Sequence, residues 1–223
     1  MTATSTAHRA GPQGHGAWWE PARLGEPAEA WAMLTGAEPA PPVFGASGFA
    51  LARAAAGPTL SASTAVVGEI TVAGHRWSLL ASTGTPENPA TPEWRAAVAS
   101  IRLGLSLWLR RQVVGRLRKR TVEGTALIHR QLVRADLAHA ATEQAMAESL
   151  LDSVASQPGA PAALCRASRR LTAADRTVLR LFGASGFLSD GPGQVAYLSE
   201  LMADAYLESA ADDRRGEPDD RVG

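Results

Sequence analysis

Four cations crowd the nine residues "RLRKRTVEG": Arg116, Arg118, Lys119 and Arg120. Two chemistries suit them. Cations in the last turn of a helix complement its dipole. Arginines set this closely also grip a diphosphate, because each guanidinium offers two parallel hydrogen bonds to it. The residue types leave both readings open. A second stretch, "RLFGASGF" at 180–187, places Gly183 and Gly186 three residues apart. Glycine accepts positive φ and lets a backbone come close, so this turn suits either the end of a helix or contact with a cofactor.

Other catalytic patterns are missing. The five histidines are scattered without HExxH spacing, and no Gly-x-Ser-x-Gly elbow, P-loop or dinucleotide fingerprint is present. Classical hydrolase and kinase readings therefore fall away. The lone Cys165 excludes an intrachain disulfide framework and a cysteine-rich metal site. A formal net charge of zero argues against non-specific nucleic-acid binding, and no apolar run is long enough for a membrane span. The first sixteen residues lack the apolar core of a signal peptide, so the expected setting is the cytoplasm.

These residues need elements to hold them. Residues 1–16 and 212–223 are polar, charged or proline-broken and are expected to be disordered. Between them, residues 17–90 form a small β-containing region, with a hairpin expected from Ala65–Val72 and Arg76–Ala81 around a Gly-His turn. Trp18, Trp19 and Trp31 read as core or interface anchors. From 91 to 211 the period becomes helical, opening at Thr91-Pro92-Glu93. A long helix over 93–118 places Ile101, Leu105, Trp108, Leu109 and Val113 on one face, with Arg102, Arg110 and Arg116 elsewhere. A second runs from about 127 to 154 with Leu132, Val133, Leu137 and Ala140 on its buried stripe. A third spans Thr172 to Phe182, and a fourth covers about 194–209. The fold class is mainly α: a four-helix up-and-down bundle with a short, irregular N-terminal region that contains a small β element.

The order of these pieces resembles the C-terminal half of the acyl-CoA dehydrogenase family. There a long helix ends in an arginine, followed at fixed spacing by Phe-Gly, a leucine and a helix led by glutamine. Arg120, Gly124, Leu127 and Gln131 match without gaps. The family's later Gln-x-x-Gly-Gly-x-Gly-Phe turn is matched at Gly183, Gly186 and Phe187, with Pro192 beyond it. Three positions depart: Glu123 replaces the aromatic residue, Arg180 the glutamine, and Ala184 the second glycine. A carboxylate beside a diphosphate is unfavourable, and Arg180 adds a compensating cation.

What the resemblance implies is an FAD-dependent subunit for α,β-dehydrogenation of an acyl thioester, carried on coenzyme A or a carrier protein. In the family the arginine and the glycine turn of one subunit close over the adenine-diphosphate part of a flavin held mainly by its neighbour. Arg120, Gln131, Arg180, Gly183, Ser185 and Gly186 are the implied cofactor-binding residues, and no metal is implied. Residues 17–90 would be a shortened remnant of the family's middle β-domain. The family's aromatic-Glu-Gly-Thr/Ser segment, which supplies the catalytic base, has no counterpart; Glu208 stands closest to its expected distance from the turn, among Glu200, Glu208 and Asp212. Assembly is expected as a homo-oligomer or with another dehydrogenase chain, through helices 93–118 and 127–154, with no nucleic-acid or membrane partner. The competing readings are a non-catalytic partner that stabilises a full-length dehydrogenase, and an unrelated helical interaction protein.

Overall fold

The computed structural model describes residues 18–36, 40–53, 60–156, 161–188 and 191–208. The termini expected to be disordered, 1–16 and 212–223, lie outside them. Two short helices, α1 (Trp19–Leu24) and α2 (Pro27–Thr35), come first. Neither was legible against the Pro and Gly of that region. Strands β1 (Phe49–Arg53), β2 (Thr64–Val72) and β3 (His75–Ser82) follow as an antiparallel sheet in the order β1-β3-β2. The expected hairpin is β2–β3, with its turn at Ala73-Gly74 rather than Gly-His. Both turn residues have positive φ, 50° and 76°, the pair a two-residue hairpin loop requires.

The bundle begins with α3 (Pro92–Lys119), whose start and stop are written in its ends. Thr91 Oγ1 accepts the Trp94 N–H at 3.2 Å, and Pro92 fills the first turn beside Glu93. Arg116, Arg118 and Lys119 occupy the last turn, where cations are favoured. A two-residue-per-strand hairpin, β4 (Thr121–Val122) with β5 (Thr125–Ala126), reverses the chain into α4 (Gln131–Ser156). The bundle closes with α5 (Pro161–Phe182), a 3-10 turn at Gly183–Phe187, and α6 (Pro192–Tyr206).

Side-chain pairs fix the directions. Arg102 meets Ser168 and Thr172, while Ser106 meets Asp175, so α3 and α5 run the same way. Arg102 also meets Ser199, and Arg95 Nε donates to the Tyr206 carbonyl at 2.8 Å, so α6 runs against α3. Helix α4 packs on both α3 and α5 and runs back between them, which completes an up-down-up-down order.

Three sequence expectations change. Helix α3 is buried on every side from Ala97 to Ser106, so it is the centre of the bundle rather than an amphipathic surface helix. Its Ile101, Leu103, Leu105 and Leu109 are fully buried, each stabilising the fold by about 1.5–3 kcal/mol. Arg102 is buried as well. Because α3 is enclosed within its own chain, its central face is not free to join subunits. On α4, Ala140 is buried and Val133 and Leu137 half-buried, but Leu132 is 81% exposed and belongs to no stripe. The third helix starts at Pro161, eleven residues before the expected Thr172.

An aromatic cluster locks sheet to bundle. Trp31 meets Trp77 and Trp94 edge-on, each at 5.8 Å between ring centroids, and Tyr206 lies 6.0 Å from Trp31. Tyr206 Oη accepts the Leu51 N–H at 2.8 Å and donates to the Val43 carbonyl at 3.1 Å, tying the end of α6 to β1. Trp18 and Trp31 are buried and Trp19 is half-buried, as anchors should be.

Candidate functional site

A cleft of about 860 Å³ opens where the C-terminal end of α3 meets the Ala73-Gly74 turn, the 3-10 turn and the start of α6. Arg116, Lys119 and Arg120 line it, and no lining residue is acidic. Positions 116, 119 and 120 share a face because they are three and four apart; Arg118 lies off that face and outside the cleft. Among the described residues none of the three lining cations has an ion-pair partner. Arg116 Nε is buried without a hydrogen-bond acceptor. An orphaned guanidinium nitrogen of this kind costs stability unless an acceptor arrives, and an anion in the cleft would supply one.

The opposite wall adds to the positive potential. Helix α6 starts here at Pro192, and its N-cap Gly191 contributes no side-chain cap. Gly191, Pro192 and Gln194 line the cleft, so the positive end of the α6 dipole faces its mouth, where a phosphate is favoured. Gln112, Ser185 and Gln194 supply neutral polar groups, and Trp108 an aromatic wall. The arrangement can hold a diphosphate with a flat apolar group beside it.

The structure distributes the sequence-predicted site residues unevenly. Arg120 and Ser185 both line the cleft, and Ser185 Oγ donates to the Phe182 carbonyl at 2.8 Å. Gly183 has φ 60° with nothing near its missing side chain, so it ends α5 in the left-handed conformation. Gly186 is buried, and an added Cβ would come within 3.1 Å of Phe182 Cβ. The chain itself thus accounts for both glycines. Gln131 opens α4 in an exposed position, and Arg180 is exposed with its guanidinium donating to Thr177 Oγ1 at 3.1 Å; neither lines the cleft. Glu208 is exposed just past α6, at the end opposite the cleft. Helix α6 is about 22 Å long at the usual helical rise, which sets their separation. Glu123, unfavourable if it faced a diphosphate, does not: at φ 54° in the β4–β5 turn it pairs with Arg130 at 3.0 Å, outside the cleft.

Sequence reasoning missed the α6 start and the hairpin tip as cleft walls. Gly191-Pro192 was the available signal, a helix opening directly after the glycine turn. It also missed a polar cluster at the centre of the bundle. Arg102 donates to Ser199 Oγ at 3.1 Å, to Thr172 Oγ1 at 2.9 Å and to Ser168 Oγ, and among the described residues no carboxylate pairs with it. Ser106 Oγ donates to Asp175 Oδ1 at 2.5 Å while accepting from Gln144 Nε2 at 2.8 Å. Burial pushes the Asp175 carboxyl up to about 7, against the pull of Ser106 and Arg102. Ser199 also lies close enough to favour the ionised form, although among the described residues no group meets Asp175 Oδ2 in full hydrogen-bond geometry. Among the described residues no group of His, Cys, Asp and Glu could hold a metal, and no helix is long and apolar enough to cross a membrane.

Residues 91–211 match the family model for the acyl-CoA dehydrogenase C-terminal domain. No curated protein matches the sequence. An acyl-CoA dehydrogenase from Geobacillus kaustophilus is similar in structure at a TM-score of 0.52 and 13% identity, over 71% of this chain and 49% of that one. A glutaryl-CoA dehydrogenase from Mycobacterium smegmatis, solved in complex with FADH2, is similar at a TM-score of 0.50 and 19% identity, over 74% and 51%. At these identities the likeness is one of fold. The chain spans about half the length of these solved relatives.

Proposed function

The chain belongs to the acyl-CoA dehydrogenase family through its C-terminal domain, and from that premise we propose that it is a flavoprotein subunit whose cleft closes over the diphosphate of FAD. The activity proposed is α,β-dehydrogenation of an acyl thioester, on coenzyme A or a carrier protein, within a cytoplasmic oligomer. The single observation that carries this reading is the cleft itself: among the described residues its three cations have no ion pairs, Arg116 Nε has no acceptor, a helix starts at its mouth, and no acid lines it.

Arg116, Lys119 and Arg120 would neutralise the diphosphate, and the positive end of the α6 dipole would favour its remaining negative charge. Ser185 and Gln194 would fix its orientation, and Trp108 would exclude water from one side. When bound, FAD supplies the hydride acceptor that the side chains themselves lack. Gln131, Arg180, Gly183 and Gly186 lie outside the cleft, so a role for them at a flavin would be exercised across a subunit boundary or by shaping the turn. Glu208 is the proposed base, its carboxylate taking the proton α to the thioester carbonyl. With the length of α6 between them, the cleft and Glu208 of one chain would serve different parts of an assembly.

That separation also favours a second reading, a partner subunit that closes over a flavin but contributes no base. Purifying the full chain alone and with a longer dehydrogenase chain, then recording the flavin spectrum, tests the first premise. Arg120→Ala should weaken flavin retention about ten- to a hundredfold, the value of a charge-assisted bond of roughly 1.5–3 kcal/mol. Equal retention in wild type and variant would return Arg120 to an ordinary helix-end cation.

A further inference from the structure

Residues 209–223, outside the described residues, continue the chain from the end of α6 that lies opposite the cleft. We propose that their acidic segment 217–220 docks in the same chain's cleft and must be displaced by any diphosphate that binds there. That the tail thereby regulates flavin retention rests on the flavin reading above; the docking does not.

Reach selects the segment. Helix α6 sets about 22 Å between Glu208 and the cleft. At no more than about 3.6 Å per residue, Asp212 and Asp213 stop within about 18 Å of Glu208 and fall short. Glu217 extends to about 32 Å and Asp220 to about 43 Å, so both arrive with slack for a route around the surface.

Charge selects the same segment. Glu217, Asp219 and Asp220 bring three carboxylates to a cleft lined by three cations and no acid, and Arg221 offsets only one of them. Lys119 and Arg120 are exposed, with no ion pair among the described residues, and so are open to such a partner. The order of charge along the route agrees. Asp204 is likewise exposed and without an ion pair among the described residues, and Arg214 and Arg215 come before the tail's last acids, as Asp204 comes before the cleft. Exposed pairs of this kind are individually weak. A short tether holds the tail at about millimolar local concentration, where weak contacts are populated.

A spin label on Val222→Cys reads the docking directly, with Cys165→Ser removing the native thiol while keeping a donor for the Leu207 carbonyl. In amide NMR spectra of this full chain at low salt, the label should broaden Gly74, Gly115 and Gln194 at the cleft, and pyrophosphate should release them. The triple variant Glu217→Gln, Asp219→Asn, Asp220→Asn changes no residue of the helices or strands. It should abolish the broadening and raise the affinity for pyrophosphate at least about threefold. Broadening confined to the far end of α6, or cleft broadening that survives pyrophosphate or the triple variant, would overturn the proposal. So would cleft broadening in isotope-labelled chain mixed with a separate spin-labelled chain, since the tail would then come from a second copy. Cleft broadening released by pyrophosphate in a chain that takes up no FAD would support the docking and refute the flavin reading. FAD uptake without cleft broadening would refute the docking alone.

Discussion

Replacing Asp175 by asparagine should remove a pH dependence that the wild-type chain carries in its centre. The folded-state pKa of about 7 lies above the ordinary 3.8, so between those values the folded chain holds a proton that the unfolded chain has released. Stability conferred by this group is therefore full below about pH 4 and falls as pH rises to about 7, beyond which the loss is constant. The gap between 3.8 and about 7 is worth about 4 kcal/mol at roughly 1.4 kcal/mol per pH unit. Four groups face the carboxyl: Ser106, Arg102 and Ser199 pull its pKa down, and Glu200 joins burial in pushing it up. Asparagine keeps the size and the acceptor for Ser106 but cannot ionise. At pH 5 the variant should already lead the wild type by about 1.7 kcal/mol, because the unfolded carboxyl has ionised there while the folded one has not. At pH 8 the lead should reach about 4 kcal/mol, because the variant escapes the burial of a carboxylate altogether. Urea unfolding at pH 5, 6, 7 and 8 reads both. A difference between the two proteins that stays flat across that range would refute the reasoning.

Three other outcomes are expected. Glu208→Gln should cut dehydrogenation by the assembled complex at least about a hundredfold with flavin still bound; unaffected turnover would place the base on a partner chain. Gly193→Ala should destabilise the chain by about 1–3 kcal/mol in urea unfolding, because the new Cβ would fall 2.1 Å from the Gly186 carbonyl oxygen and push α6 off the glycine turn. Light scattering at micromolar concentration should show a dimer or larger species, alone or with a partner chain. Leu132, Phe187, Leu188 and Tyr197, each more than half exposed, should then lose exposure to solvent on assembly; monomer under all conditions would remove this expectation.

The parts of the fold that showed in the sequence are those with a strong local period. The β2–β3 hairpin and α3 declared themselves through alternating β-branched residues and a proline-led start. Helix α5 hid its first half because "PAALCRASRR" buries Ala163, Leu164, Ala167 and Ser168, side chains mostly too small to mark a face. The sequence points to a turn one residue later than Ala73-Gly74 because alanine rarely adopts φ 50°. The helical period sets Arg102 off the apolar face, yet the bundle encloses it. What makes its burial tolerable is a set of hydroxyls at 168, 172 and 199, far off in sequence, which no local pattern reveals. The site divided in the same way. The basic run pointed to the cleft because its spacing is helical and local. The cleft's other walls are brought there by packing.

One of those walls has a consequence for how the molecule would respond to occupancy. The tip of the β2–β3 hairpin, at Ala73 and Gly74, belongs to the sheet, yet it borders a cleft whose cations belong to α3. A molecule lodged there touches both bodies at once. Its binding energy then counts against any opening of sheet from bundle, amounting to about 2.7 kcal/mol at a ligand concentration one hundred times Kd. The hairpin is in that sense a hasp: amide hydrogens in β2 and β3, strands that carry none of the anion-binding groups, should exchange more slowly when the cleft is filled. Shortening the hairpin would be felt first as lost affinity, with the bundle's own unfolding little changed.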